Sequence, residues 1–206
     1  MKPTHHKQEA EADAIRQAAA ALGRVDIAER CTLLGLPPPD AGTGAVRVRV
    51  FGRELRLTAP GFEAVAADAA DQAVKSADHI LALHYLLCPN PIQPNGSQIS
   101  FRDLPGGQFY WEPFRARSVL PLTRRLGNDL DRLRRNLARF AWTPLEMGDV
   151  GARIQAVGKL SVTLVYHGGD DEFPADATLL FDACIRHVYR AEDVAVIASR
   201  VCLGLL

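Results

Sequence analysis

From Ala45 to Phe51 the chain alternates Val46, Val48 and Val50 with Arg47 and Arg49, and from Glu54 to Thr58 it alternates Leu55 and Leu57 with Arg56. A period of two puts the aliphatic residues on one face of an extended chain and the arginines on the other. Gly52-Arg53 between the runs suits a two-residue turn with glycine in the first position, so residues 45–58 read as a β-hairpin. One apolar and one basic face call for a sheet covered on one side only.

The remaining elements are mostly helical. Residues from about His5 to Leu22 read as a helix closed by Gly23, a residue suited to the left-handed position after a helix. Asp26 with Glu29 resembles a capping box for a second helix through Leu34, stopped by Gly35 and Pro37-Pro38-Pro39. A third helix is expected over 71–87, with Val74, Ile80, Leu81, Leu83, Leu86 and Leu87 as core candidates and an apolar C-terminal half. Pro89 to Gly96 reads as a long rigid loop, and the sequence does not say whether it acts as a lid. Ile99–Phe101 and Gln108–Trp111 read as short strands around Leu104-Pro105-Gly106-Gly107. Helical pattern resumes near Val119, breaks at Gly127 and continues with Leu130, Leu133, Leu137 and Phe140 on one stripe and Arg132, Arg135 and Arg139 on another. Leu160–Tyr166 and Thr178–Phe181 read as strands, and Asp193–Leu205 as a closing helix. Strands and helices do not alternate regularly, so the expectation is an α+β single domain over 1–206, with an antiparallel or mixed sheet packed by helices. Its N-terminal helical segment spans about 5–34 and its α+β body about 45–206.

Charge and cysteine usage narrow the partners. Lys+Arg and Asp+Glu number 24 each, which leaves no overall field to recruit nucleic acid or an anionic membrane. No stretch approaches the roughly 20 apolar residues of a membrane helix. The start lacks an apolar signal region, and the expected compartment is the cytoplasm. Cys31, Cys88, Cys184 and Cys202 are scattered without a CxxC pair, which argues against a zinc ribbon or a cysteine-ligated cluster.

Four features could carry chemistry. Around the Pro-Gly-Gly segment stand Arg102, Asp103, Gly106, Gly107, Tyr110, Arg115 and Arg117. Arginine forks suit carboxylate or phosphate and glycines admit a close approach, so this reads as an anion-binding loop, or else as a hairpin whose Arg102 pairs with a carboxylate elsewhere. Neither GxxxxGK[ST] nor GxGxxG is present. Asp170, Asp171 and Glu172 follow Gly168-Gly169, with Asp182 ten residues beyond Glu172. They read as a hard-cation site or an acid/base centre, or as a solvated, capping or salt-bridged loop. His84 lies in the apolar third helix, a candidate for catalysis or for axial ligation of a cofactor, although a core histidine is more often structural. Last, Arg115 to Arg139 carries eight arginines against two aspartates. That could be a nucleic-acid face, a face set against the acidic stretch Asp170 to Asp193, or a solvated face at Arg132, Arg135 and Arg139, and the aromatic-interleaved pattern of RNA-binding modules is missing.

The order His84-Tyr85-Leu86-Leu87, Ile99 to Gly107, Phe114, Arg117, Asp170-Asp171-Glu172-Phe173-Pro174 and Leu180-Phe181-Asp182 resembles the DUF3786 proteins, prokaryotic domains of about this length. The resemblance implies a single-domain protein of unknown function. Some relatives look joined to iron–sulfur-type segments or tied to anaerobic metabolism, although this chain has no clustered cysteines. It carries over no catalytic residue.

The leading expectation is a binding module for a small anionic ligand or cofactor, whose identity the sequence does not give, with His84 and Tyr110 lining the pocket. The alternatives are a hydrolase- or lyase-like enzyme using Asp171 or Glu172, with or without a divalent cation, and a structural domain that meets a protein partner or a second copy of itself.

Overall fold

The computed structural model describes residues 5–67 and 73–206. The chain divides into two compact units, Met1–Ile92 and Gln93–Leu206. Both mix helices with antiparallel strands, and the class is α+β.

In the first unit, helix α1 (His5–Leu22) and helix α2 (Ile27–Leu34) precede strands β1 (Val46–Val50), β2 (Arg53–Thr58) and β3 (Glu63–Ala66), and helix α3 (Ser76–Leu87) follows. Asp26 caps α2 by accepting a 2.9 Å hydrogen bond from the Glu29 N–H, which relieves one of the donors that a helix start leaves unpaired. Gly35 ends α2 in the left-handed region at φ 66°. Gly23 does not have a positive φ; its N–H simply donates to Ala19 at 2.9 Å as α1 finishes. The hairpin is as expected, but its turn is shifted by one residue. Val50 pairs with Arg53, and the turn residues are Phe51 and Gly52, at φ 48° and 82°. Two successive positive φ values define the type I′ turn, whose twist matches that of the flanking strands. Strand β3, which pairs antiparallel with β2, has no clear signature in the sequence. Residues 71 and 72 of the expected third helix lie outside the described residues, and α3 begins only at Ser76. It packs on α1, α2 and β1, burying Leu81, Leu83, Tyr85 and Leu86 while Val74, Ile80 and Leu87 stay half-exposed.

The second unit carries strands β4 (Gln98–Ser100), β5 (Trp142–Leu145), β6 (Val150–Val157), β7 (Leu160–His167) and β8 (Asp176–Asp182). Hydrogen bonding orders them β5-β6-β7-β8-β4, with every ladder antiparallel. Helices α4 (Trp111–Arg117), α5 (Val119–Leu126), α6 (Leu130–Leu137) and α7 (Ala191–Gly204) accompany them. The expected arginine stripe is exposed at Arg135 and Arg139 and half-buried at Arg132, and two of its members also bond the main chain. Arg132 donates to the Leu206 oxygen at 2.7 Å, Asn136 to Leu205 at 2.9 Å and Arg139 to Gly204 at 3.0 Å. These side chains supply donors to the carbonyls that the end of α7 leaves without an intrahelical partner, where positive charge also complements the helix dipole.

Candidate functional site

The segment from β4 to the end of α4 holds most of the residues singled out for anion binding. Gln108–Trp111 does not form a strand, so no Pro-Gly-Gly hairpin exists. The chain leaves β4 through one turn of 3-10 helix, Phe101–Asp103, then bends and enters α4 at Trp111. Pro113 sits in the first turn of α4, where its missing N–H leaves no bond unmade. Gly106 takes φ 78°, and a Cβ on Gly107 would fall on the Phe101 carbonyl oxygen. The close approach that these glycines permit is therefore to the chain's own backbone.

Phe101 and Phe114 are buried and stack with ring centroids 4.0 Å apart and planes 15° apart. Trp111 stacks on Phe114 at 5.5 Å, and Tyr110 meets Phe101 at 6.5 Å. Burial of the two phenylalanines, each contributing about 2–3 kcal/mol, roots this aromatic cluster in the unit's core. The arginines lie over its outer rings. The Arg102 guanidinium is 4.4 Å from the centre of the Trp111 ring, and that of Arg115 is 5.9 Å from it. Arg117 lies 5.9 Å from the Tyr110 ring centre and donates to its hydroxyl at 2.7 Å. Helical spacing explains the match: Trp111 and Arg115 are four residues apart and Tyr110 and Arg117 seven, so each pair shares a face. Ser199 on α7 donates to the Arg117 carbonyl at 3.0 Å, and buried Ser118 donates to that of Phe114 at 2.6 Å, which fixes the end of α4. Among the described residues none of Arg102, Arg115 and Arg117 is ion-paired. Phe109, 96% exposed, projects beside them.

Asp103 belongs to the scaffold. Its Oδ2 accepts from both the hydroxyl and the N–H of Ser100 at 2.8 Å, and these bonds hold its carboxyl below the ordinary carboxylate range. His84 lies half-buried on α3 in the first unit.

The acidic segment is organised quite differently. Gly168 donates to Asp149 at 2.8 Å and Gly169 to Asn128 at 2.5 Å. Asp170 Oδ1 then accepts from Phe173 at 2.7 Å and Glu172 at 2.9 Å, an Asx turn that lowers its pKa through those bonds. Asp171 and Glu172 are exposed. Asp182 does not converge on them. It accepts from Gly96 at 2.8 Å and from Asn95 and Cys184 at 3.0 Å, pinning the proline-rich loop to the start of the 3-10 turn Ala183–His187. Burial opposes its charge, yet the bonds from Cys184, Gly96 and Asn95 outweigh burial and keep its pKa below the usual value. Among the described residues no group of three His, Cys, Asp or Glu is placed to hold a metal ion. Nor does Arg102 pair with these carboxylates, as a purely structural reading of the two segments requires. The residues missed in the sequence are Trp111 and Phe109; the Phe109-Tyr110-Trp111 triplet, with arginines at helical distance, was the available signal.

This is an α+β protein that presents an arginine–aromatic surface. Its sequence matches the family described as "Domain of unknown function (DUF3786)" over residues 26–203, and the chain belongs to that family. No curated protein and no solved structure matches it. No described helix is long and apolar enough to cross a membrane.

Proposed function

We propose that the chain is a binding module for a small anionic ligand, held at the surface formed by Arg102, Tyr110, Trp111, Arg115 and Arg117. The observation that supports this reading is three guanidiniums laid over two rooted aromatic rings with no carboxylate among the described residues paired to them. A ring face attracts a guanidinium by its quadrupole but leaves the in-plane N–H groups directed outward. The forks are thus ordered in advance and remain able to donate to carboxylate or phosphate, which reduces the side-chain entropy lost on binding.

The test uses the indole itself. An anion that draws Arg102 from Trp111 changes the emission of that ring. Titrating citrate and pyrophosphate into protein carrying Trp142→Phe should give a saturable change in fluorescence. Arg102→Met with Arg117→Met should weaken that binding at least ten-fold, the loss of about 1.4 kcal/mol expected from two charge-assisted contacts, while the far-ultraviolet circular dichroism stays the same. Undiminished affinity in the double variant would sink the reading.

A further inference from the structure

On the exposed face of the β1–β2 hairpin the register sets Arg47 directly opposite Arg56 and Arg49 opposite Glu54. Residues so placed have Cβ atoms about 4.5–5.5 Å apart, and like charges in that relation destabilise a sheet. The Arg49–Glu54 pair sets opposite charges face to face; the Arg47–Arg56 pair does not. The nearby Asp40 carboxylate feels the Arg47 charge but forms no ion pair with it. Neither guanidinium is ion-paired among the described residues. Asp40 turns Oδ1 into its own loop, accepting from Gly42 at 3.1 Å, the Thr43 N–H at 2.9 Å and the Thr43 hydroxyl at 2.8 Å. Glu54 faces Arg49 across the ladder. Arg47 and Arg56 line an open groove of about 350 Å³, walled by Asp40, Thr43, Glu54 and two alanines. That volume is near the lower end of the roughly 300–1,000 Å³ typical of small-molecule sites.

We propose that this groove binds a phosphate group, as the free ion or on a small ester, gripped between Arg47 and Arg56. Two guanidinium forks can each present paired N–H donors to phosphate oxygens. Occupied, the repulsive pair becomes a clamp; empty, it costs stability. The rim carboxylates of Asp40 and Glu54 repel any longer polyanion, so only one phosphate fits the charge pattern, with room for a neutral or cationic remainder. The site lies in the first unit and does not depend on the arginine–aromatic surface of the second.

Melting temperatures test this in wild type, Arg47→Thr and Arg56→Thr, in chloride and then in inorganic phosphate or glycerol phosphate at equal ionic strength. Threonine retains strand propensity. In chloride, Arg56→Thr should melt about 1 °C above wild type once the like-charge contact is gone. Phosphate at roughly ten times its dissociation constant should raise the wild type by about 3 °C more than it raises either variant. The comparison with the variants removes the general stabilisation that excluded salts give any protein. A larger rise with the ester assigns the ester as ligand, and an equal rise assigns the ion. An increment equal in all three proteins overturns the proposal. Should a variant fail to fold, line broadening of the phosphate phosphorus signal by the Arg102→Met, Arg117→Met protein supports the groove, and a sharp line there overturns it.

Discussion

The segments 101–117 and 168–174 look alike on paper: each has adjacent glycines, proline and several charged residues, three arginines in the first and three carboxylates in the second. Folding uses them in opposite ways. In the first, Asp103, Gly106 and Gly107 serve the backbone, Phe101 and Phe114 go inward, and the arginines lie on the outer rings with no ion pair among the described residues. In the second, Asn128 and Asp149 tie down the glycines, Asp170 folds back on the N–H groups that follow it, and Asp171 and Glu172 face water. A charge run becomes a plausible site only when other groups meet the local hydrogen-bond demand and the charged groups are still held in place.

Breaking the foundation of each region should therefore have very unequal effects. Phe114→Ala removes a buried ring stacked on both Phe101 and Trp111 and should cost about 3–5 kcal/mol in urea unfolding. Phe173→Ala, at a residue 67% exposed, should stay within about 0.5 kcal/mol. Comparable costs would mean that the acidic loop is packed as tightly as the aromatic cluster.

Asp182 ranks next. Asp182→Ala strips the acceptor from three backbone N–H groups and should cost about 1–3 kcal/mol at neutral pH. Its carboxyl is held below the ordinary value of 3.8 in the fold. The unfolded chain thus binds the proton more readily, and the stabilisation is complete above that ordinary value and lost as pH falls through the folded one. Acid titration of stability should be correspondingly shallower in Asp182→Ala than in wild type, as followed by chemical denaturation at a series of pH values. The smallest effect is local. Asp170→Ala should speed amide exchange at Glu172 and Phe173, whereas Asp171→Asn should leave those amides unchanged. Equal responses would show that the Asx turn does not hold the loop.

Elements whose faces differ sharply in polarity were readable directly. The hairpin, α1, α2, α5, α6 and β7 follow from alternation, helical stripes or turn residues. Strand β6 was missed because it buries Gly151, Ala152 and Ala156 among larger residues, so its alternation is faint. Strand β5 contains Pro144, a residue expected only at sheet edges. The type I′ turn was misplaced because Phe51 occupies a positive φ that favours glycine or asparagine. Gln108–Trp111 has strand-like composition, yet Pro113 and the stacking of Trp111 on Phe114 commit it to a helix start; tertiary packing overrode propensity. Arg102, Tyr110, Arg115 and Arg117 were visible as residue types, but their mounting on aromatic rings depends on that misread element.

The carbonyl-capping side chains of α6 change how this molecule should behave towards polyanions. The sequence shows a stretch dense in arginine, and a count of positive residues would forecast tight retention on heparin and a steep dependence of binding on salt. Arg132 and Arg139 already have main-chain oxygens as partners, and Arg134 bonds Asp131 and the Asp149 carbonyl. A guanidinium so occupied releases fewer counterions when a phosphate backbone approaches. The number of ions displaced, and hence the elution salt, is set by the arginines left over rather than by the total in the stretch.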